Sequence, residues 1–221
     1  MSTSPPSRVA EDYVTTIWKS QEWSTERLTS TALAARLGVA KSTVSTTLRR
    51  LAADGYVDYT PYGEIGLTPE GTRLATAVVR RHRLIETYLV DRLGLGWDEV
   101  HVEADLLEHA VSERVLEAMR TALGDPQTDP HGDPIPPHQP PDLQHAVRLD
   151  TATDLSDVRI VRVSDDDPTV LRYLASRRLG VGAVLETLTI STTLGVVQYE
   201  VDGATAEISE AVARYLWVVG T

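Results

Sequence analysis

The chain contains no cysteine. That excludes disulfides, thiolate nucleophiles and every cysteine-based zinc site. Phenylalanine is also missing, and aromatic residues make up only 5% of the 221 positions. The core must therefore be built mainly from aliphatic side chains. No apolar run approaches the roughly 20 residues needed to span a bilayer. The opening Met1-Ser-Thr-Ser-Pro-Pro6 has no apolar stretch of the signal-peptide kind. These absences predict a cytoplasmic protein with no membrane association. The length fits two small domains, or one compact domain with an added module.

Positive charge is in deficit, with a net charge of −11. The deficit is uneven. Residues 1–60 carry seven Lys or Arg against six Asp or Glu, whereas residues 101–221 carry nine against twenty. Charges further apart than about 10 Å are largely screened at ~0.1 M salt, so one end of an acidic chain can still meet phosphate. The composition permits DNA binding without requiring it.

Proline and glycine punctuate the sequence. Gly124 to Pro141 holds seven prolines and is incompatible with a helix or a central strand, since proline lacks a donor and fixes φ. It reads as a linker or an ordered extended loop. Before it the patterns are mostly helical. After it come β-branched, alternating runs at 158–163, 184–190, 195–201 and 204–208, with a short helix at 168–176. Several short strands in so few residues predict a small β-barrel.

The first 75 residues have a recognisable order. A helix from Arg8 to Trp23 is followed by a short helix opened by Thr29, a Gly38-Val39 turn, and a Ser/Thr-rich helix from Lys41 to Ala53. Asp54-Gly55 ends that helix, glycine supplying the left-handed residue. Tyr56–Thr60, the Pro61-Tyr-Gly-Glu turn and Ile65–Thr68 predict a hairpin, and Thr68-Pro-Glu-Gly opens another helix. This is the order of a winged helix-turn-helix. Val44, Leu48 and Leu51 suit the core side of the third helix. Lys41, Ser42, Thr43, Ser45 and Thr46 suit base edges in the major groove, and Arg49 and Arg50 suit phosphates. An ordinary amphipathic helical hairpin is the competing reading, but it gives no reason for the tight hairpin that follows.

A second concentration of chemistry lies downstream. His101, Asp105, Glu108 and His109 fall at helical spacing, as do His82 and Glu86. Imidazole and carboxylate without sulfur suit a divalent ion of hard or borderline character. The bland alternative is a solvated face of mixed charge. A metal-dependent hydrolase is the alternative from a different class. The His-Glu-x-x-His order is absent and no Ser or Lys nucleophile stands out, so an enzyme is the minority reading.

Taken together, the winged helix, Arg80-Arg-His-Arg-Leu-Ile-Glu86, Trp97-Asp-Glu-Val-His101, Glu103-Ala-Asp-Leu-Leu-Glu-His-Ala-Val-Ser112 and Asp129-Pro-His-Gly-Asp-Pro-Ile-Pro136 resemble the diphtheria-toxin-repressor family of metal-dependent regulators. Nearest is its manganese-responsive branch, in the three-domain actinobacterial form. The resemblance implies an α+β chain. A winged helix-turn-helix would occupy 1–75, a helical dimerisation and metal-binding domain with the Pro-rich linker 76–141, and a small β-barrel of the Src-homology-3 type 142–221.

The resemblance also implies two metal sites per subunit. Asp12 on the first helix, with Asp105, Glu108 and His109, would form the primary set. His82, Glu86 and His101 would form the ancillary set, with Asp165 of Ser164-Asp-Asp-Asp167 as a barrel ligand. Iron-responsive members carry Met and Cys where this chain has Asp12 and Asp105. Carboxylate in place of sulfur favours manganese, with iron as the alternative within the family. The implied protein is a homodimeric, manganese-dependent repressor of metal-uptake genes that binds double-stranded operator DNA. Leu106, Leu107, Val111, Val115 and Leu116 are candidates for core or dimer contacts. His131, His138 and His145, in or beside the Pro-rich loop, are expected to face solvent.

Overall fold

The computed structural model describes residues 6–23, 27–60, 63–152, 155–201 and 203–221. The chain divides into two compact units, residues 1–81 and 82–221.

In the first unit, α1 (Arg8–Glu22) starts at Ser7, whose hydroxyl accepts from the Ala10 N–H. α2 (Ser30–Arg36) is capped likewise by Thr29. Each cap satisfies a donor that the helix cannot pair internally. Gly38, at φ +64°, makes the turn into α3 (Lys41–Ala53). The strands β1 (Val57–Tyr59) and β2 (Ile65–Leu67) pair antiparallel, Val57 opposite Leu67 and Tyr59 opposite Ile65. Pro61 and Tyr62 of the expected turn lie outside the described residues. Val14, Ile17, Leu33, Val44, Leu48, Leu51, Val57 and Ile65 form one aliphatic core, the composition demanded by a chain without phenylalanine.

The helix α4 (Pro69–Leu93) contains the boundary between the units. Thr68 accepts from the Gly71 N–H at 3.0 Å and donates to the Gly55 carbonyl at 2.6 Å, joining the start of α4 to the end of α3. A Cβ on Gly71 would lie 1.9 Å from the Tyr56 carbonyl oxygen, so only glycine fits beneath the hairpin.

In the second unit the remainder of α4 packs with α5 (Val100–Leu107) and α6 (Glu113–Leu123). Their core is Leu84, Ile85, Leu89, Val100, Ala104 and Leu116. Leu107 and Val111 pack at its edge, while Leu106 and Val115 are exposed, Leu106 by 63%. Gly124, at φ +76°, ends α6 in the left-handed conformation. The Pro-rich segment that follows is an ordered loop. Thr128 bridges to Pro134, and the Asp129 carboxylate accepts from the backbone N–H groups of His131 and Asp133 at 2.8 and 2.9 Å.

The C-terminal part holds β3 (Val147–Arg148), β4 (Val158–Val163), α7 (Pro168–Ser176), β5 (Val184–Ser191), β6 (Val196–Val201), β7 (Ala204–Ser209), α8 (Glu210–Ala213) and β8 (Leu216–Gly220). These form a six-stranded antiparallel sheet of order β3-β8-β4-β5-β6-β7 around a single apolar core. This is the small Src-homology-3-like sheet domain of an α+β chain. Four of its strands follow the alternating runs seen in the sequence. β8 does not, because Leu216-Trp-Val-Val-Gly220 is short and nearly continuous in apolar character, and it sits between β3 and β4.

Candidate metal centre and DNA-reading helix

Helix α4 buries polar groups, so the alternative of a solvated face of mixed charge fails for His82 and Glu86. His82, Arg83, Leu84, Ile85 and Glu86 are all buried. Four residues apart, His82 and Glu86 share one side of the helix. His82 Nε2 lies 3.0 Å from Glu86 Oε1 and 3.1 Å from His101 Nδ1 on α5. His101 Nδ1 is 3.2 Å from Glu86 Oε1 and 3.4 Å from Asp165 Oδ2, just beyond β4. One ligand atom from each of His82, Glu86, His101 and Asp165 falls within 4.8 Å of the others.

The other imidazole nitrogen of His82 faces a second group of carboxylates. Nδ1 is 2.8 Å from Glu108 Oε2 and 3.4 Å from Asp105 Oδ1. Asp105 also approaches His101, 3.7 Å from Nε2, and its side chain is 52% exposed. His109 Nε2 lies 3.2 Å from Glu108 Oε1. The stripe drawn on one helix from His101 to His109 therefore bends. α5 ends at Leu107, Glu108 is its C-cap, and His109 lies in the turn beyond. His82 stands between both expected ligand sets. Asp12 belongs to the first unit, half-buried on α1, where its carbonyl accepts from Thr16 Oγ1 at 2.8 Å.

His131 corrects an expectation. Its side chain has no exposure, whereas solvent contact was expected from a Pro-rich loop; His145 is exposed and His138 partly so. His131 Nε2 is 2.8 Å from the Trp97 carbonyl, fixing the ring. Its Nδ1 points at Glu86 Oε2 across 3.7 Å, and neither atom has a hydrogen-bond partner. Asp129 completes a third group with Glu86 and His131. The sequence signal for it was available: Asp129-Pro-His-Gly-Asp133 is a tight turn carrying ligand-type residues, and its proximity to Glu86 is a product of tertiary folding alone.

The electrostatics follow from burying acids and imidazoles together. Burial opposes ionisation of Glu86, but the charge on His82, the hydrogen bonds with His101 and His82 and the nearby His131 imidazole prevail and hold its carboxyl well below the usual range. Burial, reinforced by Asp133 and Glu86, pushes Asp129 up to about 7. Burial works against a charged His131, yet Glu86 and Asp129 overcome it and raise the imidazole to about 9.

A divalent ion fits this donor chemistry. The orphaned Glu86 Oε2 and His131 Nδ1 are a buried acceptor and a buried nitrogen that a cation would satisfy together. Around an octahedral ion with bonds of about 2.1 Å, neighbouring donors stand about 3 Å apart, close to the separations around Glu86. The donors are carboxylate oxygen and imidazole nitrogen throughout, the set preferred by hard and borderline divalent metals.

In the first unit, α3 turns Val44, Leu48 and Leu51 inward and leaves Lys41, Ser42, Thr43, Thr46, Arg49 and Arg50 exposed, with Ser45 partly so. Ser45 and Thr46 donate to the carbonyls of Lys41 and Ser42 at 3.2 and 3.0 Å, and Arg49 Nε donates to Ser45 at 3.1 Å. The Ser45 and Thr46 bonds use the hydroxyl protons and leave the hydroxyl oxygens free to accept.

Comparison with known proteins agrees along the whole chain. Residues 7–65 match the family described as iron dependent repressor, N-terminal DNA binding domain. Residues 68–137 match iron dependent repressor, metal binding and dimerisation domain, and residues 147–219 match the FeoA domain. The iron-dependent repressor IdeR of Mycobacterium tuberculosis H37Rv is 41% identical over 126 residues, 57% of this chain and 54% of that protein. The chain thus spans about half the length of that curated relative. The diphtheria toxin repressor of Corynebacterium jeikeium is 34% identical over 72% of this chain and 68% of its own length. Among solved structures, a manganese-dependent transcriptional repressor in complex with manganese superposes with a TM-score of 0.88 at 43% identity, covering 96% of this chain and 100% of that one. Among the described residues, no helix is long and apolar enough to cross a membrane. From its domains, its sequence relatives and its fold, the chain belongs to the iron-dependent-repressor, or diphtheria-toxin-repressor, family of metal-dependent transcriptional regulators.

Proposed function

We propose that this protein is a cytoplasmic, homodimeric, manganese-activated repressor of metal-uptake genes, reading double-stranded operator DNA through α3. The observation that carries the reading is the sulfur-free donor set around His82 and Glu86. Oxygen and imidazole ligands do not reward the softer and later transition metals as thiolate or thioether would. The solved relative described as binding manganese supports the same choice. The names of the curated relatives favour a second reading, an iron-dependent regulator of the same family.

His82, Glu86, His101 and Asp165 hold one ion in this reading, with Asp129 and His131 as further donors on the far side of Glu86. The family correspondence assigns Asp12, Asp105, Glu108 and His109 to a second. The bound cation supplies the positive charge that lets these carboxylates remain ionised close together. Asp12 lies in the DNA-binding segment, so its ligation makes the DNA-competent state depend on metal. By linkage, operator DNA then tightens metal binding by the same factor. The functional modules are residues 1–75, 76–141 and 142–221.

Selecting genomic fragments on the protein in excess Mn²⁺, then re-measuring their binding in chelator at fixed salt, tests the reading. Retained affinity in chelator would leave a winged-helix regulator independent of metal.

A further inference from the structure

The loop that carries His131 is fastened to the C-terminal sheet by three independent devices. Arg162 on β4 is buried, and its Nε donates to Asp133 Oδ1 at 2.6 Å while Nη2 reaches Oδ2 at 3.4 Å. The Val163 N–H donates to the His131 carbonyl at 2.8 Å. Gly132, at φ +87°, lies so close to β4 that a Cβ would come within 2.1 Å of the Val161 carbonyl oxygen. The Arg162 guanidinium rests 4.1 Å above the Trp217 ring on β8, which fixes its plane. On the other side of the loop, Arg83 of α4 donates to the Pro134 carbonyl at 2.7 Å and stands 3.5 Å from Asp129 and 3.7 Å from Asp133.

We propose that the Asp133–Arg162 pair is a positioning clamp that presents His131 and Asp165 together to Glu86 and His101. The two presented residues sit on either side of the clamp. His131 is two residues before Asp133, and Asp165 is three after Arg162. Ser164, between Arg162 and Asp165, is itself held where its N–H donates to the Tyr215 carbonyl at 2.8 Å. A shift of β4 against the loop would therefore move Asp165 and His131 relative to Glu86 at once.

Stability alone is a poor explanation for the pair. Buried ion pairs seldom outperform apolar packing, because both charges must leave water. A forked guanidinium–carboxylate contact does fix distance and orientation, which is what a ligand set needs from the groups behind it. The surroundings support this role. Asp133 faces Arg83 and Arg162 at once, so the clamp joins α4, which bears His82 and Glu86, to β4, which leads to Asp165.

This inference rests on the metal-binding reading, and the experiment separates the two. Mn²⁺ uptake by the full chain is measured by equilibrium dialysis, with Glu86→Gln defining the Glu86-dependent share. Arg162→Gln should weaken that share by about 10–100-fold, the usual effect of losing an outer-shell partner, and leave the remaining uptake unchanged. Arg162→Lys, which keeps the charge but not the fork, should recover part of it. In metal-free protein, the Val163 amide should exchange hydrogen at least tenfold faster in Arg162→Gln than in the parent. If Arg162→Gln folds poorly, Asp133→Asn/Arg162→Gln removes both charges and should show the same selective loss. Unchanged Glu86-dependent uptake in a folded variant, or equal weakening of all uptake, would overturn the clamp. No Mn²⁺ uptake by the parent would overturn the metal reading instead, and Val163 exchange would then decide the clamp alone.

Discussion

Glu86 Oε2 and His131 Nδ1 face each other at 3.7 Å inside the second unit, both buried and neither within hydrogen-bonding distance of a partner. A carboxylate held ionised by imidazoles and an imidazole held protonated by carboxylates make a site that holds protons when metal is absent. His131 is raised to about 9 and Asp129 to about 7, so at neutral pH an arriving cation must displace protons from both. Manganese affinity should rise as the pH goes from about 6.5 to 9, with net proton release detectable by calorimetry in buffers of different ionisation enthalpy. His131→Asn should flatten that dependence. An affinity independent of pH would place His131 and Asp129 outside the metal's reach.

His131, Asp129 and Glu86 also make the stability of the metal-free protein depend on pH. The folded-state pKa of His131 is raised from 6.5. Its contribution is fully present below the unfolded value and is lost as pH rises through about 9. Asp129 is also raised, from 3.8 to about 7, so its ionisation costs stability progressively across that interval. Glu86 is lowered and works in the opposite direction, its contribution being lost in acid. Metal-free protein should therefore melt at a lower temperature at pH 9 than at about pH 6, and added Mn²⁺ should narrow the gap. A melting temperature that rises from pH 6 to 9 would contradict the placement of His131.

Metal preference is testable by exchanging donors. Asp12→Met with Asp105→Cys should shift the ion that supports DNA binding from manganese toward iron, because thioether and thiolate reward the softer ion. The readout is DNA affinity across a metal series at fixed ionic strength. An unchanged order of metals would show that donor softness is not the selector.

On α3, Ser42→Ala or Thr46→Ala should relax preference among related DNA sequences, by less than the about 1–3 kcal/mol of a bidentate contact, since each hydroxyl makes a single one. Arg50→Ala should weaken binding to all sequences and lower the salt dependence by about one unit of slope. Equal losses on selected and random DNA for all three variants would move the reading face elsewhere.

Beneath that helix, Leu48→Ala should destabilise the first unit by about 2–5 kcal/mol, since Leu48 is wholly enclosed. Gly71→Ala should also destabilise it, through the contact with the Tyr56 carbonyl rather than through a cavity. Thermal melts report both, and a neutral Gly71→Ala would mean that the hairpin shifts freely against α4.

What could be read from the chain beforehand was local. The α3 pattern, the Gly55 stop, the strand-like runs at 158–163 and 195–201 and the ligand-type spacing of His82 with Glu86 all express a period or a cap written in neighbouring residues. What could not be read depended on residues distant in sequence. The burial of His82 to Glu86 could not be read from the segment itself, because it depends on the approach of α5 and the 129–134 loop. His131 looked solvated because its loop is rich in proline, whereas the loop is held by Asp129, Gly132 and Arg162. β8 was invisible because Leu216–Val219 is apolar throughout, so the alternating burial of the strand has no counterpart in its sequence.

Manganese, held by an oxygen and imidazole donor set, is expected to switch on DNA binding. Fluorescence anisotropy of a selected DNA fragment, titrated with Mn²⁺, Fe²⁺ or Zn²⁺ at fixed protein and salt, tests it most directly. Affinity should rise by about tenfold or more with Mn²⁺, fall back with chelator, and show no such gain in Glu108→Gln. Equal affinity with and without Mn²⁺ would contradict it.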